Sequence, residues 1–241
     1  MKIIGVIPAR YGSTRFPGKP LATICGKTLI ERVFDQVKKA LPSKSIYIAT
    51  EDPRIYDYCR KFCDNVMMTS VNCPSGTDRV AEVAKKAVCD VVINIQGDEP
   101  LVSPGTIKKL VKEMQSDPKI LMATPIRKFS NLSEIRTNNS AKVIIDKNKF
   151  ALVFSRYLKP ETIEAPVYKH IGIYAYRKQF LLQLVKLRVS PLEKFEKLEQ
   201  LRVLENGYKI KTVLVDSDSV SVDVPEDIYK VERILQESEK F

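Results

Sequence analysis

The sequence predicts an α/β fold: a mostly parallel central sheet with flanking helices, and a smaller β-rich section in the second half. Short apolar runs without polar alternation, such as Val91–Ile95, alternate through residues 1–114 with stretches of helical period. From Ile120 onward, strand-like runs follow one another before helices return. No Gly/Ser-rich linker and no internal repeat divides the 241 residues, so the chain reads as one domain, 1–241, with the β-rich section at 120–190.

Ile3–Ile7 is a predicted strand, and Leu29–Leu41 a helix whose Leu29, Ile30, Val33, Phe34, Val37 and Leu41 share a face. Ile46–Ala49 reads as a strand, Pro53–Phe62 as a helix and Val66–Met68 as a short strand. Thr77–Val88 is a helix with Val80, Ala84 and Val88 on one side; strand Val91–Ile95 and helix Pro104–Met114 follow. Ile120–Ile126, Ala141–Ile145, Phe150–Phe154 and Val167–Tyr176 read as strands, with Asp146-Lys147-Asn148-Lys149 as a hairpin turn. Phe180–Leu187 and Pro191–Leu204 read as helices, the second stopped at Asn206-Gly207. Tyr208–Val215 is a predicted strand, and Pro225–Gln236 a last helix with Pro in its first turn.

The apolar runs are short and broken by charge, which predicts no membrane insertion. One Lys followed directly by a strand-like run predicts no signal peptide. Five cysteines, an odd number without framework spacing, predict free thiols in a reducing cytoplasm. Lys and Arg outnumber Asp and Glu by 40 to 29, which favours an anionic partner. The basic residues are spread rather than blocked and do not interleave with aromatics, which argues against nucleic acid.

Four stretches carry chemistry. Ile7–Leu21 (IPARYGSTRFPGKPL) follows the first strand, where open α/β sheets bind ligands, and holds Arg10, Arg15 and Lys19. Its glycines match neither a Walker loop nor G-x-G-x-x-G, so an anion here would meet side-chain cations more than a glycine nest. Arg15 has two readings, a second phosphate contact or a structural salt-bridge partner. Gln96-Gly97-Asp98-Glu99-Pro100 ends the apolar strand; a carboxylate there suits Mg²⁺, which takes one or two carboxylates and fills its octahedron with water and phosphates. The alternative is a turn in which Asp98 caps the next helix. Ser221–Asp227 places Asp223 where a second carboxylate could face Asp98, while Glu226 and Asp227 suit a helix N-terminus. Pro74–Arg79 reads either as plain capping by Ser75 or Thr77, or as a nucleotide-pocket wall using Ser75, Gly76 and Arg79. The lone His170 lies in a strand, and its residue context alone favours a structural role.

Ile7–Leu21, Ala49–Asp52, Pro74–Arg79, Gln96–Pro100, Phe154-Ser155-Arg156, Lys169–Arg177, Lys197–Gly207 and Val222–Ile228 occur in this order over nearly the whole chain. Together they resemble the 3-deoxy-manno-octulosonate cytidylyltransferase (CMP-Kdo synthetase) family. The resemblance implies a nucleotide-diphospho-sugar transferase-like fold, a homodimer partly formed by the β-rich section, and Mg²⁺-dependent transfer from CTP to an acidic eight-carbon sugar for lipopolysaccharide synthesis. It implies that Arg10, Ser13 and Lys19 hold the CTP phosphates, with Arg10 and Lys19 also catalytic. Ser75, Arg79 and Gln96 would contact the nucleotide, and Asp98 and Asp223 would be catalytic metal ligands. Arg156, His170, Tyr174, Glu199 and Gln200 would hold the sugar. Two departures from the family pattern are Tyr157-Leu158-Lys159-Pro160 after Arg156, and Val224. The first leaves the 8-amino analogue, or another acidic sugar, as an alternative substrate. A non-catalytic anion or nucleic-acid binder is the rival from another class; it would need the basic loop but not Asp98 and Asp223 together.

Overall fold

A computed structural model describes residues 1–159 and 164–238. In chain order its elements are β1 (Ile3–Pro8), the hairpin β2 (Thr23–Ile24) and β3 (Lys27–Thr28), α1 (Leu29–Lys38), β4 (Ile46–Thr50), α2 (Pro53–Cys59) and β5 (Asn65–Met68). There follow α3 (Gly76–Lys86), β6 (Val91–Asn94), α4 (Pro104–Ser116), β7 (Met122–Lys128), α5 (Leu132–Arg136), β8 (Lys142–Ile145) and β9 (Ala151–Ser155). The chain continues through β10 (Val167–His170), β11 (Tyr174–Arg177), α6 (Lys178–Leu184), α7 (Pro191–Glu196), α8 (Leu201–Glu205), β12 (Ile210–Leu214) and α9 (Asp227–Ser238).

Ten strands form one sheet in the order β5-β4-β1-β6-β11-β7-β10-β8-β9, with β12 on the other edge of β7. The strands β5, β4, β1 and β6 are mutually parallel, and β11 is inserted antiparallel between β6 and β7. Side-chain alternation divides the core. Ile7, Ile93 and Ile95 face Val33, Phe34, Ile107 and Leu110 of α1 and α4. Ile4, Val6 and Val92 face Val80 and Ala84 of α3 and Phe180 and Leu181 of α6. Both faces are thus covered, which is why the strands near the N-terminus read as unbroken apolar runs. Helix starts are fixed locally: the side chains of Thr28, Asp52, Ser75 and Ser103 each accept a backbone N–H from the first turn they cap.

Three expectations need correction, and two elements were not expected. The run Val167–Tyr176 is two strands, not one. The Thr124 hydroxyl lies 2.9 Å from the Ile173 carbonyl and 3.2 Å from that of Ile171, and the Ile171 N–H donates in register to the carbonyl of Pro125, which has no N–H to return, so the ladder ends there. Pro191–Leu204 is likewise two helices. Lys197 turns to φ 54°, ψ 47°, and residues 197–200 leave helical geometry to form a wall of the site described below. The last helix begins at Asp227, not Pro225, because the Asp227 carboxylate accepts the backbone N–H groups of Asp223 and Val224. The hairpin β2–β3 and helix α5 had no signal in periodicity, being too short to show one.

Candidate active site

The site opens where β1, β4 and β6 end. Gly97 sets the approach: a Cβ there would stand 2.5 Å from the Pro8 carbonyl oxygen, so only glycine lets the β6 loop close on the β1 loop. This brings Asp98 to the basic loop. The Lys19 ammonium donates to Asp98 Oδ2 (2.7 Å) and to the Val222 carbonyl (2.7 Å), and lies 3.9 Å from Asp223 Oδ1. Arg15 Nη2 is 2.9 Å from the same Asp223 oxygen, the contact of its salt-bridge reading, and Arg15 also lines both cavities described next. The Val222 N–H donates to the Asp98 carbonyl, which fixes the two acidic segments side by side.

Two adjoining cavities meet here. The smaller, about 400 Å³, is lined by Arg10, Ser13, Lys19, Ser75, Arg79 and Asp98, which gathers the residues predicted to hold the nucleotide. The larger, about 1030 Å³, is lined by Arg156, His170, Tyr174 and Gln200, predicted for the sugar. Gln96, Glu199 and Asp223 line both. Arg79 is 4% exposed and points its guanidinium at Glu51 Oε2 (2.8 Å) and the Thr69 hydroxyl. Ser75 takes its capping reading through the Asp78 N–H and donates to the Asp78 carboxylate, and it also lines the smaller cavity.

In the larger cavity, Arg156 is held by backbone carbonyls. Its Nε donates to Glu196 O (3.2 Å) and its Nη1 to Asn139 O (2.9 Å). The Glu196 carboxylate accepts from the Ser155 hydroxyl (2.5 Å) and the Arg156 N–H (2.8 Å). Behind them Lys142, 1% exposed, donates to the carbonyls of Thr137 and Arg156; burial, then the Arg156 charge, lowers its pKa. His170 Nε2 lies 2.9 Å from the Thr124 hydroxyl, whose proton goes to a carbonyl of the strand break. Nε2 is then the donor and Nδ1 is left as an acceptor. Burial, with the Arg156 charge second, pushes His170 down to about 3, so the ring is neutral near pH 7. The Tyr174 hydroxyl donates to Gln200 Oε1 (3.1 Å), and Gln200 Nε2 finds no partner among the described residues, a donor available to a ligand. Glu199 accepts the Thr77 hydroxyl (2.5 Å), which ties α3 to the cavity wall.

Several supporting residues had no sequence signal of their own. Glu51 accepts the Tyr11 N–H (3.0 Å) and so carries the basic loop on Arg79. Buried Glu99 accepts the Ser219 hydroxyl (2.7 Å); desolvation raises its pKa to about 7. Arg127 and Lys169 both meet Asp218 (2.6 and 2.7 Å) and Glu134, tying the 216–219 segment to β7, β10 and α5. Of the departures from the family pattern, Tyr157 is exposed and its ring lies tilted against that of Phe195, centroids 5.8 Å apart, while Pro160 lies outside the described residues. Cys59 and Cys63 are buried free thiols, the first pushed up to about 12 by desolvation.

The metal expectation can be tested on the donor set. Among the described residues no group of three or more Cys, His, Asp or Glu side chains could hold an ion. Asp98 and Asp223 do share one cation already, the Lys19 ammonium. Two carboxylates around one cationic position, beside a phosphate-sized cavity, fit Mg²⁺, which draws its remaining ligands from water and phosphates.

Residues 4–210 match the family model described as cytidylyltransferase. A 3-deoxy-manno-octulosonate cytidylyltransferase from Desulfosudis oleivorans is 46% identical, over 98% of each chain. One from Chlamydia abortus is 43% identical over 97% of this chain and 94% of its own. A solved CMP:2-keto-3-deoxy-manno-octonic acid synthetase complexed with CTP superposes with a TM-score of 0.93 at 36% identity, covering 99% of this chain and all of its own. Likeness at this level, running through every strand that ends at the paired cavities, places the chain in the 3-deoxy-manno-octulosonate cytidylyltransferase family.

Proposed function

We propose that the chain couples CTP to 3-deoxy-manno-octulosonate, yielding the CMP-sugar and pyrophosphate for lipopolysaccharide synthesis. The observation that carries this reading is the pair of cavities joined at Gln96, Glu199 and Asp223, one walled by the cations Arg10, Arg15 and Lys19 and the other by Arg156, His170 and Gln200. In the reaction the anomeric oxygen of the sugar bonds to the α-phosphorus. The bond from that phosphorus to the bridging oxygen breaks, and pyrophosphate leaves with the electron pair. Arg10 and Lys19 offset the charge that builds on the leaving group, and Arg156 holds the sugar carboxylate. Gln200 Nε2 and His170 Nδ1 offer one donor and one acceptor to its hydroxyls. Holding both reactants at one junction supplies the orientation that such a displacement needs.

Asp98 and Asp223 are the residues that would hold Mg²⁺, which neutralises phosphate charge and makes a bound hydroxyl easier to deprotonate. His170, neutral and of low basicity, is a poor general base.

A homodimer in the cytoplasm completes the reading. The edge strand β9 exposes Leu152 and Val153, and exposed Tyr157, two residues past its end, meets exposed Phe195, whose helix α7 also exposes Leu192. Such an apolar surface on the β-rich section suits a second copy of the chain. Among the described residues no helix is long and apolar enough to cross a membrane. The five free thiols suit a reducing compartment.

Pyrophosphate release from CTP is the test, measured with 3-deoxy-manno-octulosonate, its 8-amino analogue and sialic acid, with and without magnesium. Release that needs both magnesium and the first sugar supports the assignment. A preference for another sugar redirects it, and binding of CTP without any turnover favours the non-catalytic rival.

A further inference from the structure

The Asp98–Asp223 pair is faced by two cations of unequal mobility. Lys19 is 13% exposed and anchored on both sides, by Asp98 Oδ2 and by the Val222 carbonyl. Arg15 is 65% exposed, and its one partner among the described residues is Asp223 Oδ1 at 2.9 Å. The formal charges of the four side chains sum to zero. A divalent ion approaching Asp223 by itself must therefore displace a guanidinium and then sit beside it. The same ion arriving on a triphosphate brings anionic oxygens for that guanidinium to turn to, and a planar five-donor fork suits them well. Arg15 lines both cavities, so either partner lies within the space it already borders. An exposed ion pair of this kind costs little to exchange.

We propose that Arg15 is an exchangeable counter-ion of Asp223: it shields that carboxylate from free divalent metal, and it turns to the nucleotide phosphates, leaving Asp223 to the metal, when metal and CTP enter together. Metal entry is thereby made dependent on nucleotide. This rests on the proposed Asp98–Asp223 metal pair. Lys19 stays behind as the fixed cation of the site, while Arg15 changes partner.

Mn²⁺ titration followed by electron paramagnetic resonance tests this on the full chain. Without nucleotide, Arg15→Ala is expected to bind Mn²⁺ about fivefold more tightly than the wild type, the scale of one exposed ion pair. Its KM for CTP is expected to rise, because the same guanidinium is then missing from the phosphates. Nucleotide-free Mn²⁺ affinity that is unchanged or weaker in Arg15→Ala overturns the exchange, as does an unchanged KM for CTP. Asp223→Asn separates this failure from that of the underlying reading. If Asp223→Asn loses metal-dependent turnover while Arg15→Ala matches the wild type, only the exchange falls. If Asp223→Asn binds metal and turns over like the wild type, the metal pair itself is wrong.

Discussion

The Lys19 ammonium lies 2.7 Å from Asp98 Oδ2 and equally close to the carbonyl of Val222, the residue before Asp223. One side chain from the loop after β1 thus fixes the spacing of two acidic segments far apart in the chain. Lys19 orders the pair, and in the proposed reaction Asp98 and Asp223 would hold the ion that neutralises phosphate charge alongside Lys19 and Arg10. Asp98→Asn keeps the shape and removes the charge. It is expected to lower kcat at least about a hundredfold, the effect of losing one preorganised electrostatic element. Pyrophosphate release at saturating magnesium measures it, and near-normal turnover would refute the role.

Glu51 holds the basic loop by accepting the Tyr11 N–H at 3.0 Å, and it is the carboxylate facing buried Arg79 at 2.8 Å. Glu51→Ala removes both contacts and leaves Arg79 charged, buried and facing only the Thr69 hydroxyl. Breaking a buried pair costs about 3–5 kcal/mol, and the partial exposure of Glu51 puts this one near the lower end. Thermal unfolding should show the loss, and KM for CTP should rise because Tyr11 no longer anchors the loop that carries Arg10 and Ser13. An unchanged KM with a lowered Tm would confine Glu51 to stability.

What the sequence made legible follows from what leaves a local mark. Strands buried on both faces, such as Val91–Asn94, leave an apolar run, and the capped helix starts leave Ser, Thr or Asp before the first turn. The cationic loop and the two acidic turns were visible because their residue types are unusual for their positions. Long-range partners left none: nothing near Val167–Tyr176 announces that Thr124, from β7, interrupts the strand there. Lys197 likewise breaks a helix whose spacing through Leu204 is sound, because residues 197–200 are needed at the cavity wall. Arg156 and Gln200 were placed by resemblance, since composition alone does not separate them from surface residues.

His170 is the chain's one histidine, so proton NMR holds a single imidazole Hε1 signal to follow. With its pKa pushed down to about 3, that signal should stay unmoved from pH 8 to 5. Between about 3 and the ordinary 6.5 the unfolded chain binds the proton that the folded one refuses. The stability contributed is therefore complete above about pH 6.5 and is lost as pH falls toward 3. His170→Gln should flatten this acid limb in denaturant titrations and raise KM for the sugar, with no imidazole limb lost from the kcat profile. A wild-type chemical shift that titrates near pH 6.5 would contradict it.

Gly97→Ala probes the approach of the two strand-end loops. The added methyl would stand 2.5 Å from the Pro8 carbonyl oxygen, a backbone atom that moves only if β1 or its loop moves. Overpacking of this kind costs about 1–3 kcal/mol. The neighbour displaced with it is Asp98, whose 2.7 Å contact with Lys19 depends on that closeness. Gly97→Ala should therefore lower kcat by more than its loss of stability implies, even well below its melting temperature. Gly12→Ala is the control, since no atom lies within 4 Å of a Cβ at that position. It tests whether any alanine in these loops suffices, and equal losses in the two variants would show that the Pro8 contact is not what sets the distance between Asp98 and Lys19.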